Sequence, residues 1–381
     1  MLRAIRSGMN MRQAGQQFRF PKSTVAYWVQ RTSGERLDRV DLANRKPGRA
    51  SNRTAFDVEQ RIAQLRIDLR ESVLGEYGAG AIRTALQAER ACVPSEASVN
   101  RVLARLGLQD AVRRIRRPAP PKGWYLPSVV AGQTEVDCFD FITELRIAGG
   151  PLIDVLTAKS LHGSLTDAWA IPRSTEGTIP LLLARWQRDG LPAYAQFDND
   201  NVFQGAHHHA HAVGRVSRMC LQLGVAPVFV PPLEHGMQNT IESFNALWQA
   251  KVWQRHRVAS VAELQACSDR YISAHRARTR ALAEAAPRRR AMPKHFQFDP
   301  HAPLRGHIVF IRRTDETGHV YLLGQRFAVS PNWVHRLVRC EVDFDHSCIR
   351  CFALRRRAPD EQPSLQTIPY RRSDETVAGA V

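Results

Sequence analysis

Between residues 134 and 256 short apolar runs alternate with amphipathic stretches, and carboxylates stand within or at the ends of the apolar runs. No other feature constrains the fold as strongly. The run EVDCFDF carries Asp137 and Asp140, and its alternation suits a strand. A second run, AYAQF, stops at Asp198 just before a polar turn. Glu242 opens a stretch in which Ile241, Phe244, Trp248 and Val252 recur at helical spacing, so its carboxylate should stand beside a buried stripe. Two strand Asp residues and one helix Glu brought together would offer hard oxygen ligands to a pair of Mg²⁺ ions, the apparatus of phosphoryl transfer. Asp137 and Asp140 lie three positions apart, so period-two alternation puts them on opposite faces and only one can enter the site. Alternation alone leaves both open.

Composition points to a polyanionic partner. Lys and Arg number 54 against 36 Asp and Glu, a formal net charge of +18, most of the excess being Arg. Such a balance favours nucleic acid. The 381 residues suggest two to four domains, and 44% hydrophobic with 24% charged residues is ordinary for a globular protein. The apolar runs are broken well short of the roughly 20 residues of a membrane span, so a cytoplasmic protein without a membrane partner is expected. Seven scattered cysteines fit reduced thiols better than a disulfide framework.

The first 32 residues read as three short helices, the last starting at Pro21-Lys22 with Ser23 or Thr24 as its cap and Val25 and Trp28 facing inward. Lys22, Ser23, Thr24, Tyr27 and Arg31 are then candidates for DNA contact. The unit resembles the helix-turn-helix of transposases; a small helical bundle without DNA contacts is the alternative. Residues 33–54 form a basic linker whose Arg45, Lys46 and Arg49 either enter a minor groove or remain solvated. Helical periodicity returns over 55–112, a second helix-turn-helix-like unit. Its third helix starts at Ser95 or Ser98 and carries Asn100, Arg101 and Arg105 on polar faces. A basic, Pro-rich segment at 113–124 marks the next boundary.

Strands are expected at 134–142, 150–158, 165–171, 193–197 and 225–230, with helices at 176–189, 212–223 and 238–256. Three successive strands followed by alternating helices and strands give a ribonuclease H-like α/β core over 125–290. Here the chain resembles the DDE transposase and retroviral-type integrase superfamily, and in particular bacterial insertion-sequence integrases. The shared features are Gly149 and Gly150 after the first strand, SLHG, Asn199 and Phe203 after Asp198, Pro231-Pro232, Gly236, and Ile241-Glu242-Ser243-Phe244-Asn245. In that superfamily the first Asp precedes the Gly turn by about nine residues, which selects Asp140. The resemblance implies a catalytic, metal-binding set of Asp140, Asp198 and Glu242. It also implies two Mg²⁺ ions replaceable by Mn²⁺, double-stranded DNA as substrate, a homo-multimer on DNA, and a place at the bacterial nucleoid.

Three departures bear on that resemblance. Asp200 replaces a customary Gly. The interval from Asp198 to Glu242 is long, with His207, His208, His209 and His211 inside it; they read as a transition-metal set or, as the lack of Cys partners and regular ligand spacing favours, as a loop and helix start. Lysines that some relatives carry after the Glu are replaced by Ala246 and Gln249, which shifts contacts with the DNA end to Lys251, Arg255 or Arg257.

Beyond residue 290 the runs GHIVFIRR, HVYLLGQRFAVS, HRLVRCEVDF and CIRCFALRRR read as a small β-barrel over 300–356, with a disordered tail from 357 to 381. The resemblance thus implies a multidomain transposase or integrase that cleaves DNA and transfers strands. A regulator that keeps the fold without the chemistry, and a simple nuclease of the same fold, are the alternatives.

Overall fold

A computed structural model describes residues 1–40, 53–90, 92–110, 121–147, 149–205, 209–231, 234, 236–356 and 358–371. Arg45, Lys46, Arg49, Pro232, His207 and His208 lie outside the described residues, as do most of the two basic linkers and residues 372–381. The chain divides into two compact units, 1–59 and 60–381.

The first unit holds α1 (Leu2–Arg6), α2 (Met11–Phe18) and α3 (Lys22–Arg31). Asn10 caps α2 by accepting a bond from the Gln13 amide at 2.8 Å, and Ala14 and Val25 are fully buried between the helices. The expected cap of α3 is displaced by one or two residues. Pro21 occupies the N-cap position without a side-chain bond, which leaves Ser23 and Thr24 inside the first turn.

The second unit opens with α4 (Phe56–Glu71), whose first turn precedes the division, then α5 (Ala79–Glu89) and α6 (Glu96–Arg105). Ser95 caps α6 through the Ser98 amide. There follow α7 (Pro127–Val130), β1 (Val136–Arg146), β2 (Leu152–Ser160), β3 (Thr166–Ala170), α8 (Thr175–Asp189), β4 (Tyr194–Phe197), α9 (Asn201–Gln204), α10 (Arg215–Gln222), β5 (Ala226–Phe229) and α11 (Asn239–Trp248). A π-helical turn, Gln249–Trp253, prolongs α11. The remaining elements are α12 (Val261–Arg278), α13 (Arg280–Ala285), β6 (His307–Arg313), β7 (His319–Leu322), β8 (Gln325–Ala328), β9 (Leu337–Asp343), β10 (Cys348–Ala353) and β11 (Ser364–Pro369).

Nine strands join one sheet in the order β11-β10-β9-β6-β5-β4-β1-β2-β3, while β7 and β8 form a separate hairpin. This corrects the expected C-terminal barrel. β6 pairs in parallel with β5, and β9, β10 and β11 continue the same sheet. The reason lies in GHIVFIRR, where Ile308 to Ile311 are buried without a break. A run apolar on both faces belongs inside a covered sheet, whereas a strand with one wet face alternates. The tail is corrected as well, since Ser364–Pro369 is a strand paired with β10.

One face of the sheet packs Phe139, Phe197, Phe229 and Phe310 against Trp186 of α8 and Met219 of α10. The other packs Val136, Cys138 and Val309 against Phe244 and Trp248 of α11 and Tyr271 of α12. Helices therefore cover both faces of the central strands.

Candidate active site

The two faces of β1 separate its two Asp residues. Asp137 points toward α8 and is wholly buried. It accepts bonds from Arg185 at 3.1 and 3.2 Å, from the Trp186 indole at 3.1 Å, and from Arg289. Arg185 and Arg188 also reach Asp167, and Arg276 joins Asp167 to Asp189. Burial alone would push the Asp137 carboxyl up, but the guanidiniums of Arg185 and Arg289 outweigh it and hold it well below the usual carboxylate range. Asp137 is thus fully committed to a buried ion network, with no oxygen turned to a ligand.

Asp140 faces α11. Its Oδ1 accepts from the Phe141 amide at 2.9 Å, and its Oδ2 accepts from Asn245 Nδ2 at 2.8 Å. The Thr157 hydroxyl, on the β2 residue paired with Asp140, is shared between the Asp140 carbonyl at 3.0 Å and Asn245 Oδ1 at 2.6 Å. With its oxygen held there, the Asn245 amide has only its nitrogen to offer the carboxylate. β1 and β4 run parallel with Cys138 opposite Gln196. Continuing that register two positions sets Asp140 beside Asp198, just past the carboxyl end of β4.

Glu242 is exposed in the first turn of α11, three residues before Asn245, while Ile241, Phe244 and Trp248 anchor the buried side of the helix. The loop entering that helix is tied to β4, because Tyr125 and Gln196 both donate to the Met237 carbonyl at 3.1 Å. Burial, then the Asp198 charge, and more weakly the Glu242 charge, push Asp140 up to about 7 against the bonds from Phe141 and Asn245. Burial likewise raises Asp198, opposed by the Asp200 amide and Arg173. Crowded carboxylates without a strong cationic partner are a donor set suited to a hard divalent cation. Among the described residues no three His, Cys, Asp or Glu side chains converge closely enough to ligate a single ion.

Asp200 is no surplus ligand. It caps α9 through the Val202 amide at 2.8 Å and pairs with Arg173 at 3.0 Å. His211 sits between Tyr370 at 3.1 Å and Gln325 at 2.7 Å, so its ring is used in packing.

The candidate DNA-contacting residues are placed unevenly. Lys22, Ser23 and Tyr27 are exposed on α3, and Thr24 is half-buried. Arg31 bonds the Tyr27 hydroxyl and lies 4.9 Å from the centre of the Trp28 ring. Asn100, Arg101 and Arg105 are exposed on α6. Lys251 and Arg255 are engaged within the protein in this DNA-free structure. Lys251 Nζ donates to the Gly75 carbonyl at 2.6 Å, and Arg255 donates to the carbonyls of Ser72 at 2.5 Å and Glu71 at 2.7 Å. These cations close the C-terminal end of α4, where unsatisfied carbonyls attract positive charge. Charge alone could not reveal that use.

Sequence reasoning singled out neither Thr157 nor Asn245 as a site residue. Asn245 one turn after Glu242 was the available signal; Thr157 needed the β1–β2 register.

No protein-family profile matches the chain, and no curated protein matches it. Among solved structures it is similar to the catalytic core domain of BIV integrase, with 13% identity, 36% of this chain and 81% of that chain covered, and a TM-score of 0.28. A second similarity is to a simian T-cell lymphotropic virus intasome in complex with PP2A regulatory subunit B56 gamma. There the identity is 11%, 76% of this chain and 92% of that chain are covered, and the TM-score is 0.33. Neither likeness is close enough to fix an activity. No described helix is long and apolar enough to cross a membrane.

Proposed function

We propose that this chain is a DDE-type transposase or integrase, a metal-dependent polynucleotidyl transferase that cuts DNA and joins the liberated strand end to a target. The observation that carries this reading is that the parallel register of β1 and β4 sets Asp140 beside Asp198, while α11 brings Asn245 to Asp140 Oδ2 with Glu242 one turn before Asn245. Carboxylates held against mutual repulsion have a use when a dication is their ligand. The +18 charge supplies the affinity for its polyanionic substrate.

Asp140, Asp198 and Glu242 would hold the Mg²⁺ ions, with Mn²⁺ able to replace them. Bound there, such ions neutralise charge on a scissile phosphate and make an attacking oxygen more acidic. The chain's own residues prepare the place. Asn245 keeps one oxygen of Asp140 fixed, Thr157 fixes the orientation of the Asn245 amide, and the Phe141 amide holds the other carboxylate oxygen. The Tyr125–Gln196–Met237 contacts keep the start of α11, and so Glu242, in register with the strand ends. Two DNA ends must be processed together for strand transfer, so the working form would be a multimer on DNA.

The deciding experiment incubates the full chain and its element-end duplex with Mg²⁺ or Mn²⁺ and separates the products on a sequencing gel. Joined strands support the reading. Cleavage without joining would assign a nuclease, and binding without either would assign a regulator. Asn245→Leu should lower activity by roughly 10- to 100-fold and raise the Mn²⁺ concentration needed, as loss of a bond orienting a ligand does. An unchanged Mn²⁺ requirement would remove Asn245 from that task.

End recognition is placed on the exposed residues of α3 together with the basic segment after it. Deleting residues 1–54 should reduce the preference for element ends over random duplex by at least about ten-fold, since base contacts specify while phosphate contacts only position. Non-specific binding should persist with its steep salt dependence. Anisotropy across a salt series measures both. An unchanged preference would move recognition to Asn100, Arg101 and Arg105 on α6.

A further inference from the structure

β4, β5 and β6 run parallel, with Phe197 opposite Phe229 and Phe229 opposite Phe310. Their carboxyl ends therefore lie in a row, with Asp198 past β4, Val230 past β5 and Arg312 two residues beyond Phe310 on β6. Open parallel sheets present ligand sites at that end of their strands. A cavity of about 410 Å³ opens there, beside the candidate active site, and its lining includes Asn199, Glu234, Arg312, Arg313 and Tyr321.

Arg312 is the unusual member. Its guanidinium donates to the carbonyls of Phe229 at 3.2 Å and Ile311 at 2.9 Å and to Asn199 Oδ1 at 2.8 Å, and it lies 5.0 Å from the centre of the Phe310 ring. Every one of those acceptors is neutral. Burial pushes its pKa down to about 10, and among the described residues no carboxylate forms an ion pair with it. Glu234, the one acidic residue among the described residues of the lining, is already shared by Arg313 and Arg356. The cavity thus holds more positive than negative charge, concentrated on a guanidinium that lacks a counter-anion. Such a group is stabilised by an anion arriving from outside.

The second observation concerns the hairpin. Tyr321 on β7 is 63% exposed, and its hydroxyl donates to the Gly324 carbonyl at 3.1 Å, which fixes the ring at the surface. An exposed aromatic ring beside an anion site offers a stacking face to a base. In a duplex those faces are already stacked on their neighbours, so Tyr321 suits an unpaired base.

We propose that this cavity is a second nucleic-acid site, which takes one phosphodiester and the unpaired base attached to it from a single DNA strand, Arg312 receiving the phosphate and Tyr321 stacking on the base. It extends the polynucleotidyl-transferase reading by naming where an unpaired strand beside the cut is held. Its test, however, is a binding measurement made without metal. A lack of strand transfer would sink that reading and leave this one untouched, and the converse holds too.

The full chain is titrated in EDTA against a labelled short oligothymidylate and a blunt duplex of equal length. Tyr321→Ala should weaken oligothymidylate binding about ten-fold and leave duplex binding unchanged, while Tyr321→Phe should bind like the parent. Arg312→Gln should reduce the slope of log K against log salt for the oligothymidylate by roughly 0.7, one phosphate's share. Arg313→Gln, at a more exposed position, should give a smaller reduction and guards against an effect of misfolding at Arg312. Equal binding of the oligothymidylate by Tyr321→Ala and the parent would overturn the proposal, as would equal weakening of both ligands. Displacement of the oligothymidylate by millimolar inorganic phosphate with no effect of Tyr321→Ala would assign the cavity to a lone anion and overturn it as well.

Discussion

Asp140→Asn, Asp198→Asn and Glu242→Gln should each lower strand transfer by on the order of a thousand-fold or more, while binding to element ends stays within about two-fold of the parent. Each change removes a carboxylate from the crowded set and alters volume very little. Asp140→Asn has a second signature that does not depend on turnover. The folded chain raises the Asp140 pKa to about 7 from its ordinary value near 4. A raised pKa means the fold binds that proton more tightly than the unfolded chain does. Its stabilising effect is complete below about pH 4 and is lost as the pH rises through about 7. At pH 8 without divalent cation, the neutral Asn should therefore make the protein more stable, by on the order of 2 kcal/mol after discounting for the exposed part of the group. At pH 4 the two should be alike. Urea denaturation at the two pH values measures the difference. Full strand transfer by Asp140→Asn, or a stability gain that ignores pH, would refute the assignment.

Asp137→Ala, only three positions away, should behave in the opposite way. It leaves Arg185, itself fully buried, and Arg289 without their shared counter-charge. Removing one partner of a buried ion pair costs about 3–5 kcal/mol. The urea midpoint should fall accordingly with little change in slope. Whatever protein remains folded should retain metal-dependent activity per folded molecule. Should Asp137→Ala instead fold like the parent and lose all activity, the site belongs to the other face of β1.

The contrast between these two residues shows what the sequence could and could not disclose. Alternation in EVDCFDF was enough to set Asp137 and Asp140 on opposite faces, since that is a property of one strand. Which face holds the ion network depends on Arg185 and Arg289, 48 and 152 residues further on. No local pattern contains such partners. Apart from the four-residue α9, read as a turn, the strands and helices from 136 to 253 were legible from their local apolar patterns. The runs after residue 300 were legible as strands, but periodicity names a strand and not its neighbour, so the union of β6 with β5 was hidden. The unbroken apolar stretch Ile308 to Ile311 was the available clue. The carbonyl bonds of Lys251 and Arg255 were hidden because a basic residue on a helix looks the same in sequence whether it meets a phosphate or a carbonyl.

The parallel pairing of β5 with β6 also bears on how the chain reaches its final state during synthesis. Val228 meets Val309 and Phe229 meets Phe310. The ribosome therefore completes β1 to β5, Asp140 and Asp198 among them, and then Glu242, well before the strand that covers β5 has been made. Until β6 emerges, β5 presents an open edge of unpaired amides and carbonyls, a template for association with other chains. Bringing β6 to it closes a loop of some eighty residues, which adds to the entropic cost of that step and slows it. The chemistry-bearing strands are in this sense early, and their protection is late.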